Sequence, residues 1–353
     1  MFLGRRFWAG ASLALVATIG LAGSAAAGSL QITETGSSLL FPLFQEWAPV
    51  YQRATGVEIT PQSTGSGTGI SDAENATVNI GASDAYVSTA LEAQHPNLLN
   101  IPLAVSAQQI MYNLPGLNKK HVRLNGPVLA GIYDGQIKNW DAPQIRRLNP
   151  GLRLPNLPVV PIHRADGSGD TFLFTQYLSF TTPGWSHGPG FGTSISWPTV
   201  PGSVSATGNQ GMVQELTGYP GGVAYVGISW LTPALQAGLG EAMVENRAGQ
   251  FLLPTAATIG AAVAVMAKHT PKTERISLIF SPGRNSYPII NYEYAIVPRT
   301  QPNAQDAAAV KKFLLWAANP QQGNAAKFLT RVHFLPLPAN VLPLSLKQIN
   351  EIN

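Results

Sequence analysis

The stretch SLQITETGSSLLFPLFQEWAPVYQRATG, residues 29–56, predicts a short strand, a polar turn and an amphipathic helix. Five of its apolar residues recur at helical spacing and should form one buried face: Leu43, Phe44, Trp47, Val50 and Tyr51. Further along, the strand-like segments VEIT (57–60) and VNIGASD (78–84) flank STGSGTG (63–69), a loop that opens another helix. This β-α-β-α-β order is typical of a parallel sheet, so the chain should have an α/β fold.

The rest of the chain repeats this pattern less regularly. The segment HRADGSGDTFLFTQYL (163–178) predicts a strand that enters a glycine turn and a helix, and YPIINYEYAIV (287–297) is strongly β-forming. We expect two α/β lobes, with the chain crossing between them near residues 104–108 and returning near 285–290. The expected division is a signal peptide (1–27), the first part of lobe I (28–105), lobe II (106–287) and the return to lobe I (288–353).

Composition and the N-terminus predict a globular, exported protein. The chain has 353 residues, of which 45% are hydrophobic and only 11% charged, against roughly 25% charged in ordinary soluble domains. Arg5 and Arg6 precede an apolar run over about residues 7–22, and an A-x-A pattern ends at Ala27. We therefore predict a signal peptide cleaved after Ala27 and a mature protein in the periplasm. The alternative is an uncleaved anchor, although the run is shorter than the roughly 20 apolar residues of a spanning helix.

Charge and cysteine content exclude several classes of protein. The 22 basic residues include Arg5 and Arg6, so the mature chain has 20 basic and 18 acidic residues, a net charge of +2. The basic residues lie singly or in pairs, without a stripe interleaved with aromatics, so no nucleic-acid partner is expected. The sequence contains no cysteine, which excludes disulfides, cysteine metal sites and a lipid-modified cysteine.

Three Ser/Gly turns each precede a predicted helix: GSSLLFP (36–42), TGSGTG (64–69) and DGSGDTF (166–172). Helix N-termini attract anions through their free N–H groups and positive dipole end. In open α/β sheets such turns collect at the carboxyl ends of strands, where ligands bind. Glycine and serine are also ordinary loop residues, but the turns together with Arg164 and the strand-terminal Asp84 predict one site for a small oxyanion.

The sequence does not match the motifs of nucleotide-binding, serine-nucleophile or metal sites. The chain has no Gly-Lys pair for a P-loop, and neither Ser66 nor Ser168 has the G-x-S-x-G spacing of a nucleophile elbow. Asp166, Ser168 and Asp170 resemble the start of a calcium loop, but Thr171 and Tyr177 stand where such a loop needs glycine and glutamate. The six histidines lack metal-ligand spacing. We expect no catalytic residue, no metal and no cofactor.

Five motifs together resemble the periplasmic phosphate-binding proteins of ABC transporters, the PstS family. They are GSSLLFPLF, STGSGTGI, NIGASDAYVS, HRADGSGDTFLFTQYL and YPIINYEYAIV. The resemblance covers nearly the whole mature chain and implies a two-lobed, class II periplasmic binding protein with a mixed sheet in each lobe and the ligand in the cleft between them. It further implies that the protein captures inorganic phosphate as a monomer and delivers it to membrane permease subunits that work with an ATPase.

The resemblance also assigns ligand roles. Ser66 would give its hydroxyl and N–H to phosphate, Asp84 would accept a hydrogen bond from a phosphate hydroxyl, and Arg164 would bind phosphate oxygens while Asp166 orients it. The second glycine turn would contribute Ser168, Gly169 and Asp170, and the first turn would contribute Ser37, Ser38, Leu39 and Leu40. Many relatives carry threonine where this chain has Leu40, so its backbone N–H would serve and a hydroxyl would come from Ser37 or Ser38.

Carboxylates in an anion site predict selection by protonation. Phosphate keeps a proton near neutral pH and sulfate does not, so a dry carboxylate accepts a hydrogen bond from one and repels the other. At about 3 Å and an effective dielectric of roughly 20, two unit charges repel by about 5 kcal/mol. Asp84 would supply this selection, and Asp170 would be either a second acceptor or a simple helix cap. The rival function is a secreted phosphate-ester hydrolase.

Overall fold

In the computed structural model, residues 30–353 and Met1 are described, so the predicted signal peptide lies outside the described residues. Residues 30–353 form twelve strands and thirteen helices, with three additional 3-10 turns. The strands are β1 (Gln31–Gly36), β2 (Glu58–Ser63), β3 (Ile80–Ser83), β4 (Leu98–Tyr112), β5 (Arg123–Leu124), β6 (Val160–Arg164), β7 (Val204–Ala206), β8 (Gly222–Gly227), β9 (Gly240–Glu241), β10 (Met243–Glu245), β11 (Phe251–Leu252) and β12 (Ile290–Pro298).

The helices over residues 41–55, 66–74 and 169–181 belong to the β-α units predicted from the sequence. The helices are α1 (Phe41–Thr55), α2 (Ser66–Glu74), α3 (Thr89–Gln94), α4 (Gly126–Tyr133), α5 (Pro143–Leu148), α6 (Gly169–Thr181), α7 (Pro183–His187), α8 (Gly208–Gly218), α9 (Leu231–Gln236), α10 (Ala256–Met266), α11 (Ala304–Ala318), α12 (Ala326–Leu329) and α13 (Leu342–Asn350).

The first β-α-β-α-β unit has the predicted form. β1 pairs in parallel with β2 on one side and β3 on the other, and α1 and α2 connect them. The buried face of α1 contains Leu43, Phe44, Trp47 and Tyr51, whereas Val50 is only half-buried. Trp47 and Tyr51 pack against the aromatic ring of Phe313 in α11, which ties the first unit to the C-terminal return of the chain.

One curled sheet runs through both lobes in the order β2-β1-β3-β12-β4-β8-β6-β7, and β9 also pairs with β4. The long strand β4 is shared, because it pairs with β12 as far as Ala107 and with β8 from Gln108 onward. The sheet is mixed: β12 is antiparallel to both of its neighbours, while β6 is parallel to β7 and β8. A smaller sheet contains β11, β10 and β5.

Candidate functional site

The turn between β1 and α1 is folded around the Ser37 hydroxyl. Ser37 Oγ accepts hydrogen bonds from the backbone N–H groups of Leu39 at 3.1 Å and Leu40 at 2.9 Å, and it donates to Asp84 Oδ1. Ser37, Ser38, Leu39 and Leu40 are all buried. The Ser37 hydroxyl therefore links the N–H groups of Leu39 and Leu40, at the start of α1, to a buried carboxyl group.

Asp84 follows β3 and faces the N-terminus of α2. Its backbone N–H donates to Ser66 Oγ at 3.2 Å, and its Oδ2 lies 3.4 Å from the same hydroxyl. Burial, and then the nearby charge of Asp170, raise the pKa of Asp84 to about 7, despite the hydrogen bond from Ser37. A carboxyl group with this pKa can exchange a proton with a bound oxyanion near neutral pH.

On the opposite side, Arg164 ends β6 and is held by two carboxylates. Its Nε donates to Asp166 Oδ1 at 2.7 Å, its Nη2 to Asp166 Oδ2, and its Nη1 to Asp170 Oδ2 at 3.0 Å. Burial alone would lower the pKa of Arg164, but the hydrogen bond to Asp166 and the charges of Asp170 and Asp166 raise it. Arginine has five N–H bonds, so two remain for a ligand.

The N-terminus of α6 is capped by Ser168, whose Oγ accepts from the N–H of Thr171 at 3.2 Å. Asp170 is therefore not the cap of this helix. Its Oδ2 accepts from Arg164 and from Asn209 Nδ2 at 2.6 Å, and its Oδ1 accepts from Gln108 Nε2 at 3.1 Å. Burial raises the pKa of Asp170, and the charge of Arg164 and the hydrogen bonds from Gln108 and Asn209 oppose that rise.

The turns of the two lobes meet across a narrow cleft. A Cβ atom built on Gly169 would lie 2.4 Å from Asp84 Oδ2 and 2.5 Å from Ser66 Oγ. The N–H of Gly67 donates to the carbonyl oxygen of Gly167 at 2.8 Å. The structure thus brings the ten site residues predicted from the sequence into one cluster, although their individual contacts with a ligand stay predictions.

Sequence reasoning missed Asn209 and Gln108. Ser38 Oγ accepts from the N–H of Asn209 at 3.0 Å and from its Nδ2 at 2.9 Å, which joins the first turn to the N-terminus of α8. The segment Thr207-Gly208-Asn209 follows β7 and is a fourth small polar turn between a strand and a helix, so the same pattern rule could have found it. Gln108 lies within the apolar run of β4, where no signal pointed to a site.

Glu293 was also missed, and it lies behind Asp84. Its Oε1 accepts from Ser106 Oγ and from Asn291 Nδ2 at 3.0 Å, whereas its buried Oε2 has no hydrogen-bond donor among residues 30–353. Its side chain is within hydrogen-bonding range of Asp84, and burial followed by the charge of Asp84 raises its pKa well above the usual value. The register of β12 against β4 shifts between Glu293 and Tyr294, the kind of bulge that re-aims a side chain beside a site.

Within residues 30–353, no group of three or more histidine, aspartate or glutamate side chains is placed to hold a metal ion. Among the helices of that same part of the chain, none has both the length and the apolar composition to cross a bilayer.

The two-lobed α/β frame and the polar cleft between the lobes define the class of solute-binding proteins. A family model described as the PBP superfamily domain matches residues 22–321. Among curated proteins, the phosphate-binding protein PstS of Xylella fastidiosa is 32% identical over 89% of this chain and 83% of its own length. The PstS protein of Pasteurella multocida is 33% identical over 88% of this chain and 87% of its own. This chain belongs to the PBP superfamily and, within it, to the PstS family of phosphate-binding proteins.

Solved structures agree on the fold. A high-affinity periplasmic phosphate-binding protein, solved with phosphate bound, aligns with a TM-score of 0.72 at 21% identity, covering 89% of this chain and 92% of that one. A phosphate-binding protein from Stenotrophomonas maltophilia aligns with a TM-score of 0.66 at 20% identity, covering 90% and 93% of the two chains. The predicted two-lobed binding-protein fold is confirmed by these neighbours.

Proposed function

We propose that this protein binds inorganic phosphate in the cleft between its lobes and delivers it to an ABC permease for import. The observation that carries the proposal is the buried carboxyl of Asp84, set among serine hydroxyls and helix N-termini and opposite Arg164. Cationic and N–H donors bind an oxyanion, and the carboxyl group requires that the oxyanion bring a proton. Hydrogen phosphate and dihydrogen phosphate satisfy both conditions, whereas sulfate satisfies only the first.

The ligand roles proposed for the individual residues follow from this arrangement. Two kinds of donor in the turns at the N-terminal ends of α1, α2 and α6 would bind phosphate oxygens. They are the N–H groups of Leu39, Leu40, Gly169 and Asp170 and the hydroxyls of Ser37, Ser38, Ser66 and Ser168. Arg164 would use its two remaining N–H bonds, with Asp166 fixing its orientation. Asp84 would accept a hydrogen bond from a phosphate hydroxyl.

Asp170 is proposed as a second acceptor. Its Oδ1 receives one donor, Gln108 Nε2, and a carboxylate oxygen has two lone pairs, so capacity for a phosphate proton remains. Two acceptors would use both protons of dihydrogen phosphate. Phosphate affinity should therefore be maintained or increase toward mildly acidic pH, and Asp170→Thr should flatten that dependence.

The lobe boundaries, the location and the partners of the protein are also proposed. Lobe I would comprise residues 28–105 and 288–353 and lobe II residues 106–287, which is supported by the change of partner strand on β4 between Ala107 and Gln108. We propose that the protein acts as a periplasmic monomer, after removal of a signal peptide, and presents phosphate to permease subunits driven by an ATPase.

Non-enzymatic binding is preferred to ester hydrolysis. A serine nucleophile needs an adjacent base, and the cleft serines 37, 38, 66 and 168 have no histidine among their hydrogen-bond partners within residues 30–353. Relatives of the chain are named for phosphate binding, which gives the hydrolase alternative no support. Incubation with a chromogenic phosphate ester, using protein that carries Ser66→Ala as control, tests this point directly.

Calorimetric titration of phosphate-stripped protein with phosphate and then sulfate, at neutral pH, tests the main proposal. We expect tight one-to-one binding of phosphate and much weaker binding of sulfate, with the gap widening above pH 7, where the Asp84 carboxyl is ionised and repels a dianion that has no proton. In the Asp84→Asn variant the amide replaces the repelling carboxylate, so the ratio of phosphate to sulfate affinity should fall steeply. Equal affinities for both anions in the unmodified protein would overturn the assignment.

A further inference from the structure

A second polar cavity lies away from the cleft, where residues 272–275 lie beside the lobe I residues 96–100 and 347–351. Its volume is about 200 Å³, and its walls include Asn100 on β4 and Arg299 just beyond the end of β12. Glu293, which borders the cleft, is six positions before Arg299, and a strand rises about 3.3 Å per residue, so roughly 20 Å separates the two places. The cavity is therefore distinct from the cleft.

Three buried donors on residues lining this cavity have no acceptor. Asn100 is 3% exposed, and its Oδ1 accepts from the N–H of Val87 at 2.8 Å, which fixes the orientation of the amide. Its Nδ2 has no hydrogen-bond partner among residues 30–353, and neither have the Nε atoms of Arg275 and Arg299. Leaving buried donors unpaired costs about 1–3 kcal/mol each, so a small movement of the cavity wall that brings these nitrogens to the acceptor oxygens of a ligand would be favourable.

The charges around the cavity also favour an anion. Arg275 is paired with Glu92, and Arg299 with Glu351 at 3.2 Å. Lys272 and Lys347 line the same cavity and have no carboxylate within ion-pair distance in the described part of the chain. The two arginine pairs cancel, which leaves two positive charges at the cavity.

One further carboxyl group lies beside the cavity wall. Glu274 is fully buried and accepts hydrogen bonds from Ser345 Oγ at 2.7 Å and from Gln348 Nε2 at 2.6 Å. Burial raises the pKa of Glu274 to about 8, so at neutral pH it carries little negative charge. It therefore does not cancel the charge of Lys272 and Lys347.

We propose that this cavity is an accessory binding site for a small tetrahedral dianion, with Asn100, Arg275 and Arg299 donating hydrogen bonds and Lys272 and Lys347 supplying the charge. The space suffices, because a water molecule occupies about 30 Å³ of liquid and the cavity holds several such volumes. Its carboxylates are engaged with arginines, so the site does not require a proton on the ligand. Unlike the cleft, it should accept sulfate as readily as hydrogen phosphate.

Sulfate is the appropriate probe, since the cleft is expected to reject it. Phosphate-stripped protein at constant ionic strength is titrated with sodium sulfate in a calorimeter, and one weak, saturable site is expected. Lys272→Ala combined with Lys347→Ala should raise the dissociation constant for sulfate by roughly tenfold or more, because it removes both uncompensated charges. The matched control combines Lys138→Ala with Lys312→Ala, two exposed lysines elsewhere, and should bind sulfate like the unmodified protein.

A cleft variant separates this site from the proposed phosphate site. Arg164→Gln should reduce phosphate affinity and leave sulfate binding unchanged if sulfate occupies the accessory cavity. Asn100→Asp keeps the acceptor for Val87 and places a carboxylate among the unpaired donors, so it should abolish sulfate binding while the protein stays folded. The inference is overturned if sulfate does not bind, or if its binding is lost in Arg164→Gln and retained in the double lysine variant. The first outcome leaves phosphate binding in the cleft unaffected, whereas the second would place sulfate in the cleft and also contradict the selection against sulfate proposed for Asp84.

Discussion

Gly169 lies where the turns of the two lobes meet, and a methyl group there should hinder closure of the cleft. The Cβ of an alanine would be 2.4 Å from Asp84 Oδ2 and 2.5 Å from Ser66 Oγ, distances that require both groups to move. Both are buried and hydrogen-bonded, so they cannot move without losing contacts. We predict that Gly169→Ala lowers phosphate affinity by roughly tenfold or more, the effect of 1–3 kcal/mol of overpacking.

Titration calorimetry measures that loss, and Gly218→Ala is its control. Gly218 ends α8, and a Cβ built on it meets no atom within 4 Å. The control should bind phosphate with unchanged affinity. Unchanged affinity in Gly169→Ala as well would mean that the ligand-bound cleft is wider at Asp84 than this structure has it.

Among the helices, α8 connects the lobes through its first residues. Asn209 donates to Ser38 Oγ from lobe I and to Asp170 Oδ2 from lobe II, and its own Oδ1 accepts from the N–H of Gly227 at 2.8 Å. We predict that Asn209→Ala weakens phosphate binding by roughly tenfold, since one or two hydrogen bonds to charged or buried groups are lost. Small-angle scattering should then show a larger radius of gyration at saturating phosphate than in the unmodified protein.

Gln210→Ala is the matched substitution on the same helix. Gln210 is exposed, so its removal should alter neither affinity nor radius. If Asn209→Ala behaves like this control, the contact between Ser38 and Asn209 does not contribute to closure.

The turns of the site could be predicted from the sequence, whereas the site residues in the strands could not. The turns at α1, α2 and α6 were recognisable because each combines small residues with an adjacent helix of clear periodicity, and local sequence dictates that geometry. Glu293 could not be recognised in the same way. It stands in a strand that is buried at all nine positions, and its link to Asp84 depends on the register of β12 beside β3, which no local pattern specifies. The Lys272 and Lys347 cavity likewise joins segments far apart in sequence.

Buried carboxyl groups link the stability of the ligand-free protein to pH. Burial raises the pKa of Asp84 and of Glu241 to about 7, and that of Glu274 to about 8, whereas in an unfolded chain such groups titrate near about 4. Between those limits the folded state binds more protons than the unfolded chain, so the free energy of unfolding falls as the pH rises. His333, whose pKa is lowered by burial, acts in the opposite direction.

We predict that phosphate-stripped protein becomes more stable as the pH is lowered from about 8 to about 5, by on the order of 1 kcal/mol per pH unit for each carboxyl that titrates in this window. Urea unfolding at a series of pH values measures the slope. Glu293→Gln keeps an acceptor for Ser106 and Asn291 and offers Asp84 a donor that does not titrate, so its slope should be shallower by about one group. Glu215→Gln, on the partly exposed side of α8, should match the unmodified protein. A free energy of unfolding that is flat or increases between those pH values would show that the buried carboxyls are ionised in the folded state.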